Sequence, residues 1–265
     1  GARPLLCSVI GRDEKAGTFL ELLEENELYK GGILRSKNRI TSTKFRVIGN
    51  NAQMLRVDEE MDHPLEEADH NAFFNILLSI FEHETLHAVI FQDYDKGVIT
   101  PRLIEKIIRL ANSKDIPVSV DPKRRNFQHY RNVALFKPNL KELREGLVME
   151  FDKKDRRKLR QAIRLLHDRQ EIRLVLATRS EEGVYISRKL ENGSFLDHHI
   201  PAHLRSISDV SGAGDTVVSV AALCLALNLP DNDIAALSNL AGGQVCERVG
   251  VVPVDREKLK KEIIS

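Results

Sequence analysis

Asp209-Val-Ser-Gly-Ala-Gly-Asp215-Thr216 runs directly into the apolar, helix-periodic stretch 217–227, and the reading of this junction decides the fold. Gly212 and Gly214 let backbone N–H groups converge, and the adjoining helix N-terminus adds the positive end of a dipole. Such a junction is an anion hole. A carboxylate at the same helix start, Asp215, is expected to be held ionised and to accept or orient a hydroxyl proton, while the amides of Gly212, Ala213 and Gly214 hold developing phosphate charge. Phosphoryl transfer is loose, so a carboxyl of low pKa is adequate there. A glycine-rich helix cap, with Asp215 as a first-turn acid complementing the dipole, satisfies the same spacing. No Lys-Ser/Thr follows the glycines, which excludes a P-loop, and Val217 stands where a dinucleotide fingerprint needs its third glycine.

Upstream of the junction, short β-branched runs at 5–10, 88–92, 118–121, 135–137 and 173–178 alternate with helix-periodic segments at about 14–28, 66–81, 101–113 and 153–169. Near-continuous apolar strands between amphipathic helices predict a parallel sheet buried on both faces. Two places break the alternation. Runs 40–47 and 54–59, divided by Gly49-Asn50-Asn51, predict a hairpin projecting as a lid or an interaction surface. Runs 184–188 and 195–201, joined through Glu191-Asn192-Gly193, predict a second antiparallel patch.

The chain of 265 residues is 42% hydrophobic and 30% charged, enough to bury a core as one main domain. Forty Lys and Arg against 39 Asp and Glu leave no field to draw it to nucleic acid or an acidic membrane. Cys7, Cys224 and Cys246 are scattered in apolar surroundings and form no CxxC pair, as expected of reduced thiols in a cytoplasmic enzyme. No apolar run approaches the roughly 20 residues of a membrane span, and the start lacks signal-peptide architecture.

On these residues the chain resembles a known family. Asp209-Val-Ser-Gly-Ala-Gly-Asp215 is similar to the C-terminal signature of ribokinase-like (PfkB) sugar kinases, whose last Asp is the catalytic base; Ser211 stands where relatives often have Thr. Lys137-Pro138-Asn139-Leu-Lys-Glu142 resembles the family's Asn-x-x-Glu element, implying that Asn139 and Glu142 organise Mg²⁺ through water. Thr178-Arg179-Ser-Glu-Glu-Gly183 resembles the strand-end loop that meets the nucleotide phosphates. Asn239 matches a position bordering the adenine, and Gly250-Val-Val-Pro-Val254 resembles the closing segment beside it. The resemblance implies a three-layer α/β ribokinase-like fold with a mostly parallel central sheet flanked by helices, ATP and Mg²⁺ as cofactors, and a β lid at 40–59 through which a homodimer would form.

A narrower resemblance covers nearly the whole chain. Gln53-Met-Leu-Arg56-Val-Asp-Glu59, Asp93-Tyr-Asp-Lys96-Gly97 and Asp121-Pro-Lys123, with Phe127-x-x-Tyr130-Arg131, are similar to the kinase domain of HldE-type ADP-heptose synthases. That implies phosphorylation of the anomeric hydroxyl of D-glycero-D-manno-heptose 7-phosphate, on the route to lipopolysaccharide core, with Arg56, Asp93, Lys96 and Lys123 as substrate residues. A phosphorylated sugar needs a cationic subsite, and Lys96 and Lys123 follow strand ends; solvated loop charges are the plainer reading of both. The first strands and the family's Gly-Gly-Ala-x-Asn sugar segment have no counterpart, so the chain is expected either to omit residues or to be a shortened relative. A nucleotidyltransferase domain is not expected within these 265 residues. A kinase for another small sugar and a non-catalytic nucleotide- or sugar-binding relative are the alternatives.

Three further patterns carry less. His83-Glu-Thr-Leu-His87 matches the zincin HExxH, but an expected strand at 88–92 puts the two imidazoles across a helix-to-strand junction. His198-His199 falls on a surface strand, and Lys153-Lys-Asp-Arg-Arg-Lys-Leu-Arg160 reads as a solvated helix start.

Overall fold

The computed structural model describes residues 1–49, 52–203 and 205–264. The chain forms two compact units, Gly1–Leu86 with Asp95–Leu103, and His87–Tyr94 with Ile104 onward.

In the first unit, strand β1 (Ser8–Ile10) is followed by helix α1 (Glu14–Glu25) and strand β2 (Ile33–Arg35), which pairs parallel with β1. Only the last three residues of the expected strand 5–10 pair. Helix α1 starts where Asp13 caps it, accepting from the Ala16 N–H at 2.9 Å, and the same carboxylate accepts from the Thr41 N–H at 2.8 Å. The backbone hydrogen bond from Thr41 leads in holding the Asp13 carboxyl below the usual carboxylate range. Strands β3 (Thr43–Gly49) and β4 (Ala52–Glu59) form the expected hairpin, with a bulge between Val47 and Ile48; Asn50 and Asn51 of the expected turn lie outside the described residues. Register pairs Phe45 with Val57 and Val47 with Leu55, so these four share one face, while Lys44, Arg46, Arg56 and Asp58 share the other. Helix α2 (Glu67–His83) completes the unit.

The second unit is built on a six-stranded sheet. In chain order its elements are β5 (Val89–Gln92), α3 (Pro101–Asn112, whose first residues belong to the first unit), β6 (Val118–Asp121), β7 (Leu135–Phe136), α4 (Leu140–Leu147), α5 (Arg156–Gln170), β8 (Leu174–Thr178), β9 (Val184–Lys189), β10 (Phe195–Ile200), α6 (Ala213–Ala226), α7 (Asp231–Val245) and α8 (Arg256–Ile264). Strand order is β10-β9-β8-β7-β6-β5, with β5 to β8 parallel and β9 and β10 antiparallel. The expected second patch is therefore the far edge of the main sheet. Helix α5 begins at Arg156 instead of Lys153, because the Asp155 side chain caps it by accepting from the Lys158 N–H at 3.0 Å.

Alternation along the strands assigns the two faces. Leu174, Leu176, Val184 and Ile186 pack with Val217, Ala221, Ile234 and Ala235 of α6 and α7. On the opposite face Tyr185 and Ser187 meet Arg160, Arg164 and His167 of α5. Helices thus cover both faces of a mostly parallel sheet, and the ends of β5 to β8 open on one edge, where doubly wound sheets bind ligands. Among the described residues no helix is long and apolar enough to cross a membrane. All three cysteines are free thiols; burial pushes that of Cys7 up to about 11.

Candidate active site

Helix α6 starts four residues earlier than its apolar run, and this places Asp215 in the first helical turn. Gly212 is the N-cap at φ 80°, a backbone conformation that side-chain-bearing residues rarely adopt. The Ala213 N–H donates to the Val210 carbonyl at 3.2 Å, so the expectation that this amide serves the anion hole is not met. The amides of Gly212, Gly214 and Asp215 take no acceptor among the described residues, as the first turn of a helix leaves them. Asp209 braces the loop: its Oδ1 accepts from the Ser211 N–H at 2.9 Å and hydroxyl at 2.8 Å, and its Oδ2 from the Gly250 N–H at 2.9 Å.

Asp215 is half-buried, and its Oδ1 accepts from the Tyr94 hydroxyl at 3.0 Å. Burial pushes its carboxyl above the usual range, opposed by the Tyr94 hydrogen bond, reinforced by Asp121, and opposed again by Lys137 and Lys123. The expectation was a carboxyl held low by the helix end; desolvation, the leading cause, acts the other way. Beneath it lies a buried ion pair, Lys137 Nζ to Asp121 Oδ1 at 3.0 Å, with Gln92 donating to Asp121 Oδ2 at 2.9 Å. A Cβ on Gly214 would stand 3.4 Å from Lys137 Nζ and 3.6 Å from Asp121 Oδ2, so the glycine lies directly over the pair. Sequence reasoning gave no role to Tyr94, Asp121 or Lys137. The available signal was position, since each lies at or within two residues of the end of a parallel strand.

Asn139 and Glu142 form the capping box of α4. Asn139 Oδ1 accepts from the Glu142 N–H and Glu142 Oε2 from the Asn139 N–H, both at 2.9 Å. The remaining oxygen, Oε1, is ion-paired with Lys123. Burial works to lower the Lys123 pKa, but the Glu142 hydrogen bond and the carboxylates of Asp121, Glu142 and Asp93 leave it above the ordinary lysine value. Among the described residues no cluster of three His, Cys, Asp or Glu could hold a metal. A hard oxygen donor such as Glu142 Oε1 fits Mg²⁺, which takes few protein ligands and keeps water and phosphate for the rest.

Two expected ligand residues face inward. Asp93 is 1% exposed, and its Oδ2 accepts from Asn126 Nδ2 at 2.9 Å and the Tyr130 hydroxyl at 2.7 Å. These bonds brace the segment after β6. Arg179 is 2% exposed, donating to the Lys153 carbonyl at 3.1 Å with Glu182 3.7 Å away, so its guanidinium is not offered to phosphate. Thr178 ends β8 beside Asn139, and Gly183 at φ 80° is required because a Cβ would run into the Ile200 carbonyl. Asn239 donates to the Pro201 carbonyl at 2.9 Å, and Val254 is half-buried. Arg56 and Lys96 belong to the first unit, paired with Asp58 and Glu60; the Arg56 hydrogen bond leads in lowering the Asp58 carboxyl to about 2. Helix α2 ends at His83, so His83 and His87 share no helical face, and His199 meets the Glu182 carbonyl at 3.0 Å. Lys153 precedes α5 and pairs with Glu181.

The sheet order, the helices on both faces and the carboxylate at the start of α6 define a ribokinase-like α/β kinase fold. Phosphofructokinase-2 from Escherichia coli, solved in complex with potassium, superposes with a TM-score of 0.77 at 16% identity over 96% of this chain and 79% of that one. The description "pfkB family carbohydrate kinase" matches residues 1–258, and the chain belongs to that family of ATP-dependent sugar kinases. It is 35% identical over 250 residues to the bifunctional protein HldE of Wolinella succinogenes, covering 94% of this chain and 50% of that protein. With the bifunctional protein HldE of Syntrophotalea carbinolica it shares 33% over 259 residues, 98% of this chain and 51% of the relative. The chain thus spans about half the length of the curated relatives it matches.

Proposed function

We propose that this chain transfers the γ-phosphoryl group of ATP to the anomeric hydroxyl of D-glycero-D-manno-heptose 7-phosphate, with Asp215 as the base. The observation that carries the catalytic part is the half-buried Asp215 carboxylate lying in the same helical turn as the open amides of Gly212 and Gly214. Asp215 takes the proton of the acceptor hydroxyl as its oxygen attacks the γ-phosphorus and the bond to the ADP oxygen breaks. The amides meet the charge on the transferring group. A carboxyl raised by burial is a better base than a solvated one. Mg²⁺, when bound, neutralises phosphate charge; Glu142 would hold it through water, with Lys123 giving up Oε1 and Asn139 fixing the carboxylate's other oxygen.

The heptose substrate is supported by the similarity to the HldE proteins over nearly the whole chain. The nucleotide would lie along the strand ends, its base beside Asn239 and the half-exposed segment to Val254, its phosphates near Thr178 and the backbone of the loop to Gly183. Lys123, Lys96 and Arg56 remain the candidate cations for the sugar phosphate. The hairpin 40–59 would act as a lid and pair with a second copy, since Phe45, Val47, Leu55 and Val57 are each about half exposed on one face. Three free thiols suit a cytoplasmic setting.

The test is ADP release with heptose 7-phosphate set beside ribose, fructose and their phosphates, using wild type and Asp215→Asn. Selective turnover of the heptose phosphate, with kcat lowered about 100- to 10,000-fold in the variant, is the expected result. Preference for another sugar overturns the substrate while keeping the base; a nearly active Asp215→Asn overturns the base.

A further inference from the structure

Tyr94 lies two residues beyond the end of β5, and among the described residues its side chain is the one that hydrogen-bonds to the carboxylate of Asp215; the Ser219 hydroxyl donates to the backbone carbonyl instead, at 2.7 Å. We propose that Tyr94 is a positioning residue for phosphoryl transfer: its hydroxyl pins Oδ1 of Asp215, so that Oδ2 is presented to the acceptor hydroxyl as an ionised oxygen. The inference rests on the reading of Asp215 as the base.

Several groups face this carboxylate, and they differ in what they can do. Asp121 at the end of β6 adds negative charge, whereas Lys137 beyond β7 and Lys123 in the segment after β6 add positive charge. All three act through space, and none is hydrogen-bonded to Asp215. Lys137 is committed to Asp121, and Lys123 to Glu142. Charges at such range alter how readily the carboxyl ionises without distinguishing its two oxygens. A hydrogen bond at 3.0 Å does distinguish them. It fixes the terminal torsion of a short side chain, which is otherwise broad and two-fold.

The donor's chemistry also suits a base. An ammonium in the same place would neutralise the carboxylate and lower its affinity for the incoming proton. A phenol donates one hydrogen bond and carries no charge. Burial, followed by the Asp215 charge, pushes Tyr94's own ionisation upward, so it stays a donor throughout the working pH range. In the transfer step the acceptor's proton moves to Oδ2, while Tyr94 keeps its own and its hydrogen bond to Oδ1. Tyr94 therefore opposes the burial that would otherwise protonate Asp215, and it leaves the reactive oxygen open: no described donor reaches Oδ2.

The experiment measures kcat/KM against pH for wild type, Tyr94→Phe and Tyr94→Ala with the same sugar and ATP. Thermal melting checks the fold, and Asp215→Asn is run beside them. Losing the donor disfavours the ionised carboxylate, so the acid limb should move upward by about one pH unit, roughly a ten-fold loss on the acidic side. Both Tyr94 variants should shift it alike, and KM for ATP should stay near wild type. An unmoved limb in Tyr94→Phe overturns the inference, as does a shift confined to Tyr94→Ala, which would assign the effect to the ring. If Asp215→Asn is inactive while the limb stays fixed, only the role of Tyr94 fails. If Asp215→Asn is active, the base assignment fails with it.

Discussion

The Lys137 ammonium and the Asp121 carboxylate meet at 3.0 Å with side chains only 3% and 5% exposed, directly under the glycine that precedes Asp215. Two charges taken from water in this way persist only because each compensates the other. Lys137→Met should therefore destabilise the protein by about 3–5 kcal/mol, since it strands Asp121 with Gln92 as its remaining donor. Lys137→Met with Asp121→Asn should recover most of that loss in chemical denaturation. A double variant as unstable as the single one would show that shape, and not charge, makes the pair matter.

Asp215 gives a prediction whose sign is opposite to the common case of a carboxylate. Its folded pKa is raised, so the folded state binds the proton more tightly than the unfolded state does. Above that folded pKa the ionised carboxylate consequently lowers stability. Asp215→Asn should melt at a higher temperature than wild type there. The gain should be full above the folded pKa, shrink as pH falls toward the unfolded value of about 3.9, and vanish below it. Melting curves across that range check this; an Asn variant less stable at pH 7 would mean that the charge is fully compensated in the fold.

The two glycines of the junction should separate stability from activity. Gly212 sits at φ 80°, and a Cβ there would also press on Val251 at 3.3 Å, so Gly212→Ala should cost about 1–2 kcal/mol. Gly214 has an ordinary helical conformation, and a methyl there would make only van der Waals contact with Lys137 and Asp121. Gly214→Ala should thus keep or slightly raise the melting temperature while lowering kcat/KM by about 100-fold, because the methyl narrows the approach to an open amide. Loss of folding in Gly214→Ala, or full activity, would refute this division of labour.

These residues also show where the sequence was informative. The junction at 209–216 was legible because glycine spacing, a carboxylate and an apolar helix coincide within eight residues, and strand runs such as 118–121 were legible because burial on both faces leaves no polar alternation. Direction and solvation were not. Asp93 follows a strand end as a ligand residue would, yet it turns inward to Asn126 and Tyr130, and its neighbour Tyr94 turns to the carboxylate instead. Nothing in the spacing tells adjacent side chains apart in this way. The burial that raises the Asp215 carboxyl is likewise invisible in the spacing. The pairing of β9 with β8 is hidden in the sequence because the five-residue turn between them, with Ser180 at φ 52° and Gly183 at φ 80°, carries no short hairpin signature.

In the first unit, Arg39 supplies the last prediction. Its guanidinium, on a residue 8% exposed, donates to the carbonyls of His63 at 2.8 Å and Met61 at 3.2 Å and to that of Lys96. It thereby ties the segment leaving β4 to the turn at Gly97, where φ is 75° and a Cβ would collide with the His63 carbonyl. Burial lowers its pKa, but a guanidinium stays charged at any working pH, so the clamp is insensitive to pH. Arg39→Met leaves three carbonyls without this donor and should cost about 3 kcal/mol, a fall in melting temperature of roughly 6–12 °C for a chain of this size. Arg39→Lys should recover little of it, because one ammonium cannot reproduce the planar fork that serves three acceptors. Faster amide exchange at 61–65, where the Leu65 N–H donates to the Gly97 carbonyl at 3.2 Å, should accompany the loss. A lysine variant as stable as wild type would reduce Arg39 to a generic cation.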